Sequence, residues 1–208
     1  MNRAFKYGLV AVILILLGYN SIYIEKLSNV KNPMSGKFNS SAFAEKMWTE
    51  KLPAKLDSAI DINTLRALVK TDANSAFNRY THALDIGNYR YTLIKGEGTV
   101  EAVNEDDVTI TIKAEQPFEA ILTTEFVYGN TLRDASGLID LRDFPNTSDL
   151  NDISKALNEI IRQKVVPSFK PYLKPGVKID FVGAIELNKE HIHFKDLEIV
   201  PARIKILP

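Results

Sequence analysis

The 208-residue sequence has no cysteine, one tryptophan, three histidines and no excess of charge of either sign. Without cysteine it can form no disulfide, thiolate metal site or thiol nucleophile, and it offers no sulfur on which a thioether-linked lipid could be built. The 26 basic and 26 acidic residues balance, so composition advertises no polyanion partner. Also missing are a phosphate-loop signature, a G-x-S-x-G elbow and an H-E-x-x-H helix. The Gly-Glu-Gly run at 96–98 is no substitute, because a strand pattern follows it and supplies no helix N-terminus for a pyrophosphate. His191 and His193, two apart on an expected strand, would face one side, but no third ligand accompanies them. No metal site, cofactor or catalytic residue is therefore assigned.

Charge is absent from one long stretch. Arg3 and Lys6 precede GLVAVILILLGY at 8–19, and apolar character resumes at Ile22, Tyr23 and Ile24. This is the layout of an export signal, and residues 7–24 as a helix would reach about 27 Å, just short of a ~30 Å hydrocarbon core. Small residues do not occupy both positions before any cut near 18–21, so an uncleaved single-pass membrane anchor over 1–24 is expected. Arg3 and Lys6 are the only charges before Glu25, which leaves 24 basic and 26 acidic residues beyond the anchor, a net charge of minus two. Residues 25–38, with Asn32, Pro33, Ser35 and Gly36, read as a stalk.

Residues 39–86 read as a helical neck. Ser41 is placed to cap a run that Pro53 interrupts, and a second run opens near Asp61. Ile62, Leu65, Val69, Ala73, Phe77, Tyr80 and Leu84 recur at spacings of three and four, one apolar face with a break near 71–74 that is expected to pack on the protein's own sheet. After Gly87 the period changes to two, and 87–208 reads as a single β-rich domain. Strands are expected over 89–102 with a glycine bend at 95–98, over 108–112, over 118–128, over 177–187, and over 192–206 bent at Pro201. One helix, with Leu150, Ile153, Leu157, Ile160 and Ile161 on its apolar face, starts after a Thr147 or Ser148 cap and stops at Pro167. Three strands, a helix and two strands, led by a long bent strand, is the order of an OB-like five-stranded barrel with one inserted helix. The fold class is thus β-rich α+β.

Four segments carry a family likeness. GNTLRDASGLIDLRDFPN at 129–146, KGEGTV at 95–100, the helix bearing Ala156, Leu157 and Asn158, and DFVGAIEL at 180–187 resemble an uncharacterised bacterial family of predicted periplasmic lipoproteins. The LRDASG run is the most specific of them. Members are often encoded beside sugar ABC transporters, so the resemblance implies a partner in such a transporter or its solute-binding protein. It also implies an anchored cysteine, which this sequence lacks.

The LRDASG region holds the one concentrated polar cluster between apolar strands. Arg133 is expected to pair with Asp143 or Asp140 and lock the loop, while the sharper reading sets Arg133, Asp134, Asp143 and Asn146 at a groove suited to sugar hydroxyls or a charged partner. A noncatalytic accessory or binding module, held in the membrane through residues 7–24, fits these observations best. An enzyme acting on carbohydrate would need Asp134 and Asp143 roughly 5 to 10 Å apart as acid and base. Nucleic acid is not an expected partner, since the exported part is mildly acidic and Glu105, Asp106 and Asp107 share one turn.

Overall fold

The protein is described by a computed structural model that covers residues 38–208 except 85 and 145, together with Phe5, Tyr7 and Gly8. Most of the anchor expected over 1–24 and of the stalk over 25–38 lies outside the described residues. Among the described residues no helix is long and apolar enough to cross a membrane. The chain divides into two compact units, Met1–Phe38 and Asn39–Pro208.

The second unit opens with helix α1 (Ser40–Lys46), which a π-helical turn (Met47–Lys51) joins to α2 (Leu52–Asp57). The cap is Asn39 and not Ser41: its side chain accepts from the Ala42 amide at 2.9 Å. Pro53 does not interrupt the run. A proline cannot donate within the helical ladder, and the wider π turn just before it absorbs the mismatch. Strand β1 (Ile60–Asp61) leads into α3 (Ile62–Thr71), capped by Asp61 through the Thr64 amide at 2.9 Å. Asp72 then ends α3 and caps α4 (Ala73–Tyr80) through Ser75, which places the break where the spacing predicts it.

The sheet comprises β1, β2 (Tyr89–Val103), β3 (Asp107–Ile112), β4 (Phe118–Thr123), β5 (Lys178–Asn188) and β6 (Leu197–Ile206) in the order β1-β2-β3-β4-β6-β5. A further pairing of β2 with β5 closes the last five into a ring. β1 with β2 and β4 with β6 run parallel, and the other pairs are antiparallel. Ile94, Gly98, Val100, Val108, Ile110, Ala120, Leu122, Ile179 and Phe181 are buried, and the named side chains among them join one apolar core. Leu52, Ile62, Leu65 and Phe77 belong to the same core, so it bridges the boundary expected at 86/87 between neck and domain.

Several expected boundaries move. Tyr91, Thr92, Leu93 and Ile94 are all buried, so the parity switch in β2 is not a glycine bend but a stretch covered on both sides, with α5 (Thr131–Ala135) packed on β2 and β5. The irregularity in β2 falls later, between Val100 and Ala102. β4 stops at Thr123 because the Thr124 and Glu125 amides both donate to the Asp106 carbonyl, at 3.1 and 3.0 Å, which turns the chain. Phe126 and Tyr128 are consequently exposed while Val127 is buried. β6 begins at Leu197, and His191 and His193 lie on the preceding loop, not on a strand.

Helix α6 (Thr147–Ile160) follows Asn146, with no side-chain cap from Thr147 or Ser148. It passes through a second π turn (Ile161–Val165), again just before a proline, and continues as α7 (Val166–Phe169). Its apolar stripe serves two cores. Leu150, Ile153, Leu157 and Ile160 share a core with Ala44 of α1 and Met47 of the π turn after it, whereas Ile161, Val165, Val166 and Phe169 join the core of the ring. The segment that seals the ring is thus the extension through Pro167.

At Gly183 β5 meets Pro201 of β6 beside a register shift. A Cβ there would lie 2.5 Å from Ile199 Cγ2 and 2.7 Å from the Val200 carbonyl oxygen, and the latter is backbone that cannot step aside. Gly183→Ala is expected to destabilise the protein by about 1 to 3 kcal/mol, read as a lowered midpoint in thermal or urea unfolding. An unchanged midpoint would mean that the two strands need not approach so closely.

Candidate functional site

The LRDASG segment folds as the short helix α5, and each residue of it has a physical task. Leu132 and Ala135 are buried in the main core. Arg133 and Asp134 are 8% and 3% exposed, and Arg133 Nε donates to Asp134 Oδ1 at 2.6 Å. Arg133 Nη1 also donates to the Leu150 carbonyl of α6 at 3.2 Å, and Asn130 Nδ2 donates to the second Asp134 oxygen. Ser136 Oγ closes the helix end by donating to the Arg133 carbonyl at 2.6 Å and accepting from the Leu138 amide at 3.1 Å. Gly137 has φ +60, and a Cβ on it would sit 2.7 Å from the His82 ring. Behind the pair, burial pushes the Tyr91 phenol up to about 12, opposed by its hydrogen bond with Asn130 and reinforced by Glu186 and Asp134.

The expected pairing of Arg133 with Asp143 or Asp140 does not form. Arg133 is held by its sequence neighbour Asp134, not by Asp143 or Asp140, because α5 turns both side chains inward together. Asp140 instead pairs with Arg142 at 2.6 Å on the surface, where the Arg142 guanidinium holds its carboxyl down at about 2. Asp143 is exposed on a 3-10 turn (Leu141–Asp143), and Asn146 is exposed at the start of α6. Asp134 has both oxygens engaged in the interior while Asp143 faces solvent, so the two carboxylates do not flank one open site.

Arg133 does border a groove, of about 670 Å³, between the 128–133 segment and α6. Its α6 wall carries Asn151, Ser154, Lys155, Asn158 and, one turn on, Arg162. Asn158 Nδ2 donates to the Gly129 carbonyl at 2.9 Å, and Arg162 donates to the Val127 carbonyl at 2.5 Å and to Glu159 at 2.6 Å. These bonds fix the loop that presents Tyr128, whose exposed ring lies 5.6 Å from the Arg162 guanidinium carbon and 6.1 Å from the Phe126 ring. Ser154 Oγ is buried and has no hydrogen-bond partner among the described residues. An aromatic face beside amides, a hydroxyl and cations can hold a ligand that is apolar on one side and rich in hydroxyls on the other.

Of the four sequence-predicted site residues, then, only Arg133 borders the groove; Asp134 supports it from behind, and Asp143 and Asn146 lie elsewhere. The sequence reading missed Asn151, Ser154, Arg162 and Tyr128. The first three, with Asn158, recur at spacings of three and four directly beside the apolar stripe of α6, a polar stripe that helical periodicity makes visible. Among the described residues no group of three or more His, Cys, Asp or Glu is placed to hold a metal.

Comparison with known proteins agrees with the fold. The model of the family described as Predicted periplasmic lipoprotein (DUF2291) matches residues 12–205. The fold is similar to the crystal structure of an OB-fold protein from Thermotoga maritima, with a TM-score of 0.72 and 22% sequence identity over 83% of this chain and all of that one. At that identity the likeness establishes the OB fold alone. No curated protein matches the sequence.

Because the Arg133–Asp134 pair is buried, Arg133→Ala and Asp134→Ala should each lower stability by roughly 3 to 5 kcal/mol, and the double variant by much less than the sum. Asp143→Ala should stay within about 0.5 kcal/mol of the parent. A double-mutant cycle in urea checks both, and additivity of the first two would show that the pair does not act as one unit.

Proposed function

The chain belongs to the family of predicted periplasmic lipoproteins, and on that premise we propose that it is a membrane-tethered, extracytoplasmic, noncatalytic accessory module that binds through the groove beside α6. One observation carries the binding part: a preformed polar groove in which Ser154 Oγ is buried without a partner, next to an exposed aromatic ring fixed by Arg162. A buried hydroxyl without a partner forfeits about 1 to 3 kcal/mol, which a ligand hydroxyl would restore. Hydroxyl-rich solutes, or a partner presenting such groups, suit the amides of Asn151 and Asn158 and the guanidinium of Arg162.

The tether in this reading is the apolar run of residues 7–24, which follows Arg3 and Lys6 in a sequence whose 208 residues hold no cysteine for a thioether lipid. The partner in this reading is a sugar ABC transporter or its solute-binding protein, supported by the family resemblance and by the amides, hydroxyl and guanidinium groups that line the groove.

Two measurements test the proposal. A C-terminally tagged protein should stay in the membrane pellet through carbonate and high-salt washes and leave it in detergent; release by carbonate overturns the transmembrane tether. Asn151 is exposed on the groove wall, so Asn151→Trp should block the groove with stability changed by no more than about 0.5 kcal/mol. It should abolish the protein's effect on growth at limiting sugar, and parental growth with an unaltered melting curve would remove the groove from the function.

A further inference from the structure

A second groove, of about 720 Å³, lies between α3, the start of β4 and the 189–196 loop, and shares no residue with the one beside α6. It is organised around Arg66. The Arg66 guanidinium carbon stands 3.8 Å from the centre of the Phe118 ring and 5.7 Å from that of Phe194. Arg66 Nε is buried and lacks a hydrogen-bond partner, and the side chain makes no hydrogen bond or ion pair with any described residue. This contrasts with Arg133, whose buried donors reach a carboxylate and a carbonyl.

Stacking on an aromatic ring engages only the face of a guanidinium. Its five N–H groups lie in the plane and point outward, so a stacked arginine keeps its whole hydrogen-bonding edge. That edge matches the two oxygens of a carboxylate, and the aromatic neighbours exclude water, which strengthens a charge-assisted bond. Val69, Phe118, Ile192 and Phe194 form an apolar wall, and the exposed His193 also lines the groove. The rim holds both signs: Lys70 and Lys195 favour an anion, whereas Glu119 and Asp196 oppose accumulation of more than one negative charge.

We propose that this groove binds an organic monocarboxylate carrying an aryl or branched-alkyl body, with the carboxylate on the Arg66 edge and the body against Val69, Ile192 and Phe194. The volume is in the range of small-molecule sites. A phosphate dianion fits less well, since the rim carboxylates repel its second charge and it has nothing to place against the apolar wall.

The test uses the full chain in zwitterionic lipid nanodiscs, with empty nanodiscs as reference, and follows para-fluorophenylpropanoate and its neutral amide by fluorine NMR. The acid should bind saturably and the amide about tenfold or more weakly, the loss expected when a charge-assisted hydrogen bond is removed. Arg66→Met keeps an unbranched side chain between the rings without its donors, and should weaken the acid by about tenfold while leaving the amide unchanged. Equal binding of acid and amide overturns the proposal, as do retention of acid binding by Arg66→Met and absence of saturable binding to the unmodified protein. The acid and amide comparison needs no variant, so it decides the matter even if Arg66→Met does not fold.

Discussion

The long antiparallel ladder between β2 and β5 is the constraint on which the rest of the unit depends. It runs without interruption from Tyr89 opposite Asn188 to Thr99 opposite Lys178, and it joins strands far apart in sequence. Forming it commits the chain to a large loop-closure cost before the pairing is complete. Once formed, it pairs one edge of each strand over that length and, with β3, β4 and β6, closes a ring whose interior is apolar. α5 packs on these same two strands, so the position of Arg133 and Asp134 follows from the ladder.

A second tie sets the groove beside α6. Arg133 reaches from α5 to the Leu150 carbonyl, Asn158 reaches from α6 to Gly129, and Arg162 reaches to Val127. Three side-chain to backbone bonds thus fix both walls against each other before any ligand arrives. A ligand then meets groups whose rotamers are already held, which lowers the entropy cost of ordering them. The same bonds explain why Tyr128 is held outward on a loop that has left the sheet, where an apolar ring would otherwise be expected to fold inward.

The architecture was legible wherever one physical signal dominated. The chain order of the five long strands, the helix opening near Asp61, the break at Asp72 and the helix between β4 and β5 all follow from periodicity and capping chemistry, whereas the two-residue β1 is too short to leave a period; the OB fold follows from that order. The errors fall where a tertiary contact overrides a local rule. Alternation continues through Phe126 and Tyr128, but the Asp106 carbonyl turns the chain first. Prolines 53 and 167 are helix breakers by propensity, yet a π turn before each carries the helix on. Asp143 and Asp140 are the partners that the sequence offers Arg133; the direction in which α5 turns its side chains pairs it with Asp134 instead.

The two arginines show why the residue that stands out in a sequence need not be the one that meets a ligand. Arg133 sits in the most distinctive motif of the chain, and its buried Nε and Nη1 donors are occupied by Asp134 and by the Leu150 carbonyl, so it holds the fold together and only borders the groove. Arg66 sits in an ordinary amphipathic helix, one residue after the buried Leu65, where charge at that spacing reads as a solvated face. Folding brings Phe118 and Phe194 to it from strand and loop, and its Nε is buried without a hydrogen-bond partner. A side chain in that state is costly unless something else completes it. Ser154 repeats the logic with a neutral group: a hydroxyl on α6 that is buried at a groove and left without a partner. Motif density therefore locates the structural charge of this protein, and burial without a partner marks the polar groups, Arg66 Nε and Ser154 Oγ, that the fold leaves unsatisfied.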